Sequence, residues 1–109
     1  MIHKMKPRIE IHYRKVSNKR LPIAGYRLHG YRDKDGKPII TKAVVKVDPR
    51  LKKNPRLARV IIKHESDEAT ARSKGLSLSQ AHQVARNKEP VWFRDKYKTH
   101  KQLLQALKP

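Results

Sequence analysis

The chain contains no cysteine. That excludes disulfides and thiolate metal sites, and it leaves the redox compartment unreadable. No apolar run is long enough to span a bilayer or to serve as a secretory h-region, so the expectation is a cytoplasmic or virion-associated protein with no membrane contact. There is no internal repeat, no low-complexity tract, no phosphate-cradling glycine loop and no nucleophile elbow. Acidic residues are scarce: nine stand against 28 Lys and Arg, leaving +19 on 109 residues. That length fits one domain with a modest core.

Charge of this density repels itself, and a polyanion partner relieves the repulsion. Nucleic acid is the usual one, because each Lys or Arg that neutralises a phosphate releases a counterion. The plainer alternative is a soluble surface that is basic without a partner. The cations divide evenly between the two halves of the chain, so they coat a folded surface and form no single basic tail.

The first half reads as strands. PRIEIHYR, residues 7–14, alternates Ile9, Ile11 and Tyr13 against Arg8, Glu10 and His12, the period of a half-buried strand. KVSNKRLP, residues 15–22, is turn-like. IAGYRLHGY, residues 23–31, is extended, with Gly25 and Gly30 as candidate bulges. DKDGK, residues 33–37, signals a hairpin, since Asp-Gly supplies the positive φ such a turn needs. IITKAVVKV, residues 39–47, is β-branched and strand-forming. The second half changes period. Asn54 caps a helix over residues 55–73 that starts on Pro55 and stops near Gly75. Ser77 and Gln80 form a capping box for a second helix, with Pro90 just beyond its end. VWFRDKY is a linker or short extended piece, and Thr99 opens a final helix through Leu107. The fold class is α+β: a small antiparallel sheet of about three strands, then two packed helices and a short C-terminal helix. Residues 1–89 form the domain, and 90–109 an aromatic and basic extension.

Leu57, Ile61, His64, Glu68 and Ala71 fall on one stripe of the first helix. His64 and Glu68 thus occupy positions where Leu or Val would be expected. Leu78, Ala81, His82, Ala85 and Glu89 make a similar stripe after Ser77. A buried carboxylate is normally paired or bound to a cation. His and Glu four apart on a helix can point to one centre, and His82 can supply a third ligand from the neighbouring helix. Two imidazoles and a carboxylate suit a divalent metal, zinc first, with manganese, iron or nickel as alternatives. Glu65, beside His64, is then placed as a general base on water. Glu89 lies about 10 Å along the helix axis from His82, which favours an outer role orienting a histidine. The plainer alternative is an i,i+4 pair between His64 and Glu68, or one between Glu68 and Arg72, with His82 an ordinary half-buried histidine.

The pieces LPIAGY, DGKPI, VD, HESDEA, GLSLSQAHQVA and the trailing Glu89 occur in that order. Together they resemble a group of small, mostly uncharacterised phage and prophage proteins with minimal zincin-type domains. In that group an A-G-Y segment, a D-G turn and a strand ending in Asp precede an H-E-x-x-E helix, a Gly, A-H-x-x-A and a Glu. The resemblance covers residues 21–89 and implies a zincin-like fold. It also implies His64, Glu68 and His82 as the metal set, Glu65 as the catalytic residue, and Glu89 as the trailing acid. Three features depart from the pattern, one of them the crowding of the first helix's end by Arg72 and Lys74. Leu78 stands where relatives often carry Tyr, and RNKE after AHQVA is unusually basic.

The extension mixes Trp92, Phe93 and Tyr97 with Arg94, Lys96 and Lys98. Aromatics between cations can stack bases while the cations hold phosphates; the same aromatics can simply pack the tail onto the body. Lys52, Lys53 and Arg56 add to the candidate nucleic-acid-binding set. Leu103, Leu104 and Leu107 give the last helix an apolar face for its own domain or for a protein partner. Three functions follow. Charge ranks first a phage- or mobile-element-type protein that associates with nucleic acid on a zincin-like, metal-binding scaffold. The others are a metal-dependent hydrolase, most simply a peptidase using Glu65, and a virion structural or assembly protein contacting packaged genome.

Overall fold

The computed structural model describes residues 6–16 and 23–107, the side chain of His100 excepted. The turn expected over residues 15–22 falls mostly outside them. Three strands form one sheet: β1 (Arg8–Tyr13), β2 (Ala24–Arg32) and β3 (Pro38–Val47). A 3-10 turn (Pro49–Lys53) leads into α1 (Pro55–Ser73), α2 (Leu78–Asn87), α3 (Val91–Lys96) and α4 (His100–Ala106). The class is α+β, as the change of period indicates. Among the described residues no helix is long and apolar enough to cross a membrane.

The sheet is mixed, which corrects the antiparallel expectation. Its order is β1-β3-β2, with β1 parallel and β2 antiparallel to the central β3. The reason lies in the connections. The hairpin fixes β2 antiparallel to β3, and both Tyr13 at the end of β1 and Ala24 at the start of β2 sit opposite Val47. The chain therefore passes from β1 to β2 at one end of the sheet, which leaves β1 running with β3.

The hairpin is built by two glycines and an aspartate. Gly36 takes φ +80°, and Asp33 Oδ1 accepts from the N–H groups of Asp35 and Lys37 at 2.9 Å each. At His29/Gly30 the register shifts by a bulge. A Cβ on Gly30 would lie 1.9 Å from the Ile39 carbonyl oxygen, so only glycine fits. Gly25 pairs in regular register.

One face of the sheet buries Ala43, Val45 and Val47 under α1, which contributes Leu57, Ala58, Val60 and Ile61. Each Val, Leu or Ile among them stabilises the fold by roughly 1.5–3 kcal/mol, and each Ala by less. Asp48 closes β3 and caps the 3-10 turn; the Arg50 guanidinium, held at 2.8 and 3.0 Å, keeps its carboxyl below the usual range.

Asn54 Oδ1 accepts from Leu57 N at 3.3 Å, and Pro55 begins α1. Gly75, at φ +98°, ends it in a Schellman arrangement, with Leu76 N–H bonded to the Ala71 carbonyl and Gly75 N–H to that of Arg72. This sharp reversal lays α2 back against α1. The Ser77–Gln80 capping box is present. Residues 91–96 are helical, contrary to the linker or extended piece expected. Pro90 sets the N-terminal φ at −62°, and a single turn of helix is enough to carry Phe93 into the core. Leu103 and Leu107 of the last segment join the same cluster, after a Thr99–Gln102 capping box.

Candidate metal centre

The Gly75 reversal brings the polar ends of two apolar stripes together. On α1, Leu57 and Ile61 are buried against the sheet, and the stripe continues into His64 and Glu68. On α2, Ala81 and Ala85 are buried against α1, and their small size allows close approach. Leu78 does not join that contact: at 51% exposure it stands on the rim, a correction to its expected core-side place. It is the first residue of α2, just past the reversal, where the helix has not yet reached the body.

His64 Nε2 lies 3.6 Å from Glu68 Oε2, and His82 Nδ1 lies 3.8 Å from Glu68 Oε1. The rings of His64 and His82 meet edge to face with centroids 5.1 Å apart. One ligand atom from each of the three residues lies within 4.8 Å of the others, so the group can hold a metal ion. Four-coordinate zinc, with bonds of about 2.0–2.2 Å, separates its ligand atoms by roughly 3.3–3.6 Å. The His64 separation lies at the upper end of that range and the His82 separation slightly beyond it, and both exceed hydrogen-bond length. The donor set and its spacing fit a divalent ion.

His64 has a second partner. Its Nδ1–H donates to Glu89 Oε2 at 2.7 Å, which turns Nε2 toward Glu68 and His82. Glu89 lies past the end of α2 at Asn87, and its carboxylate meets His64 of α1. Glu89 Oε1 is buried with no partner among the described residues.

Electrostatics mark the same place. Glu65 and Glu68 are each 6% exposed. Burial disfavours charge on His64, but the close Glu68 carboxylate and the hydrogen bond and charge of Glu89 outweigh it and push the imidazole up to about 9. Burial pushes Glu65 up to about 7, with the His64 charge opposing and Glu68 reinforcing. A protein of net charge +19 thus gathers Glu65, Glu68 and Glu89 around one cationizable imidazole. Removing three carboxylates from water is costly unless positive charge meets them.

Of the clefts that meet this cluster, two have His64, Glu65 and His82 all in their lining. The larger, about 900 Å³, runs between α1, the start of α2 and the edge strand β2, where it meets Tyr26 and Arg72. Burial and the Glu68 charge push the Tyr26 phenol up to about 12, so it stays protonated and able to donate. Neither Tyr26 nor Arg72 stands out as a site residue in sequence. Tyr26 lies inside the A-G-Y segment, and only its alternation with Arg27 places it on the inner face. The second cleft, about 280 Å³, has Ile61, Phe93, Tyr97 and Leu103 as apolar walls and Arg86 and Lys98 on its rim.

The candidate nucleic-acid residues lie elsewhere, Lys98 excepted. Lys52, Lys53, Arg94 and Lys96 are exposed. Lys52 Nζ sits over Tyr13 at 5.0 Å, and the Arg56 guanidinium lies over Trp92 at 4.0 Å. Trp92 is half-buried and packs on the core, so one face of its ring is already in use. Compared with protein families, curated proteins and solved structures, the chain matches none.

Proposed function

We propose that this chain is a metal-dependent hydrolase acting on peptides, with His64, Glu68 and His82 as ligands and Glu65 as proton acceptor. The observation that carries this reading is the convergence of His64 Nε2, the Glu68 carboxylate and His82 Nδ1 at one point shared by two open clefts. A bound divalent ion, zinc by donor type, supplies a Lewis acid that acidifies water and polarises a carbonyl. The chain's own residues do the rest. Glu89 fixes the ring of His64 through Nδ1. Glu65, raised to about 7, can take a proton near neutral pH and return it to a leaving amine. Tyr26, held protonated on the cleft wall, can donate to a developing oxyanion.

The test is metal analysis of protein purified without chelator, paired with hydrolysis of an unfolded protein. About one ion per chain in wild type, lost in His64→Ala and His82→Ala, supports the centre. Glu65→Gln should keep the ion and lose at least roughly 100-fold in rate. Equal, negligible metal in wild type and both His variants removes the reading. A second reading, association with nucleic acid, is favoured by one observation: the outer face of the sheet carries four Lys or Arg against a single acid.

A further inference from the structure

Strand register decides which side chains share the sheet's outer face. Inner positions are Ala43, Val45 and Val47 on β3, with Ala24, Tyr26 and Leu28 opposite them on β2. The alternate positions must point the other way. They are Lys42, Val44 and Lys46 on β3, flanked by Arg8, Glu10 and His12 on β1 and by His29, Arg27 and Gly25 on β2. Side-chain contacts agree with this register, since Glu10 meets Arg8 at 3.1 Å, Lys42 at 3.3 Å and His12 at 3.6 Å. Arg8, Arg27, His29 and Lys46 are exposed.

These positions form a grid about 5 Å across strands and about 7 Å along them. It holds Arg8, Arg27, Lys42 and Lys46 as cations, the side chains of His12 and His29 beside them, and Glu10 as the one acid. No Phe, Trp or Tyr occupies it, so it offers no platform for stacking an unpaired base. It suits a ligand read through regularly spaced negative charge alone. Glu10 meets the side chains of Arg8, Lys42 and His12 and holds them against the sheet, at the cost of one unit of the charge a polyanion would meet.

We propose that the outer face of the sheet binds the phosphate backbone of duplex nucleic acid without reading its bases. The face shares no residue with the metal centre, so its binding needs no metal and stands or falls separately from hydrolysis. It also differs from the aromatic and basic segment around Trp92.

The experiment is a salt series of anisotropy titrations with a 20-base-pair duplex, the matching single strand, and vesicles of anionic lipid. Arg27→Gln/Lys42→Gln/Lys46→Gln is compared with Lys52→Gln/Lys53→Gln/Arg56→Gln, which removes the same charge elsewhere. The sheet triple should lose roughly 100-fold in duplex affinity at about 0.1 M salt and about 2.7 from the log–log salt slope, while the other triple loses much less. Glu10→Gln should bind several-fold more tightly, a gain that misfolding cannot mimic. Arg27→Gln/Lys46→Gln, which spares the ion-paired Lys42, should show an intermediate loss. Equal losses in the two triples would mean diffuse charge and overturn the assignment. So would unchanged or weaker binding by Glu10→Gln, tighter binding to the single strand than to the duplex, or binding to vesicles alone.

Discussion

His64 is held by carboxylates on both ring nitrogens, at 2.7 Å and 3.6 Å, and that arrangement sets how the metal-free protein responds to pH. His64 rises from 6.5 to about 9, and Glu65 from 4.5 to about 7. Both shifts mean that the folded chain binds more protons than the unfolded chain, so stability falls as pH rises. The contribution is complete below the unfolded values and is lost through about 7 for Glu65 and about 9 for His64. The His64 part is on the order of 3 kcal/mol. Chelator-treated protein should therefore melt at steadily lower temperature from about pH 5 to pH 9. His64→Ala should flatten the upper part of that window. On the proposed function a metal ion would replace the proton on His64, so protein loaded with zinc should resist the alkaline loss. A melting temperature that is level across the window in chelated wild type contradicts the geometry.

At the scale of elements, the β2–β3 hairpin depends on the approach of Gly30 to Ile39. Gly30→Ala puts a methyl group into a backbone carbonyl, which side-chain rotation cannot relieve. The expected cost is about 2 kcal/mol or more, read by denaturant unfolding, with the bulge lost from amide shifts. Sequence marked Gly30 as a candidate bulge because glycine inside a strand pattern has few other uses, and it marked the Ser77–Gln80 capping box and the Thr99 helix start because their polar chemistry is local. The direction of β1 was not legible in the same way. Alternation reports which face is buried and carries no information on which neighbour a strand joins. The α3 helix was missed for a related cause: six residues hold too little periodicity, and tertiary burial of Phe93 makes the helix. Leu78 was misplaced because a helical wheel ignores how far along its axis a helix stays in contact. The group of His64, Glu68 and His82, which can hold a metal ion, was legible as polar residues on apolar stripes, whereas Tyr26 and Arg72 acquire their place only from the docking of α1 on β2.

The whole molecule must hold +19 together with nine acids, three of them committed to the centre. Self-repulsion of that size should be screened by salt, with a Debye length near 10 Å at 0.1 M. Melting temperature should accordingly rise between roughly 10 and 300 mM salt. A fall would mean that ion pairs such as Lys63–Asp67 and Arg50–Asp48 outweigh the repulsion. The last segment is part of the same body, since Phe93, Leu103 and Leu107 belong to the core cluster. Leu103 also lines the smaller cleft. Leu103→Ala should cost about 2–5 kcal/mol in unfolding measurements, and on the proposed function should alter substrate preference while leaving metal content intact.

The alanine seam between the two helices has one more consequence. Ala81 and Ala85 offer the second helix little surface to bury, so a bridge from His82 to His64 and Glu68 would act as a rivet through a thin joint. Amide deuteration along Leu78–Asn87 should then slow markedly on adding zinc, far more than in the strands, and protease nicking near Gly75 should fade with it.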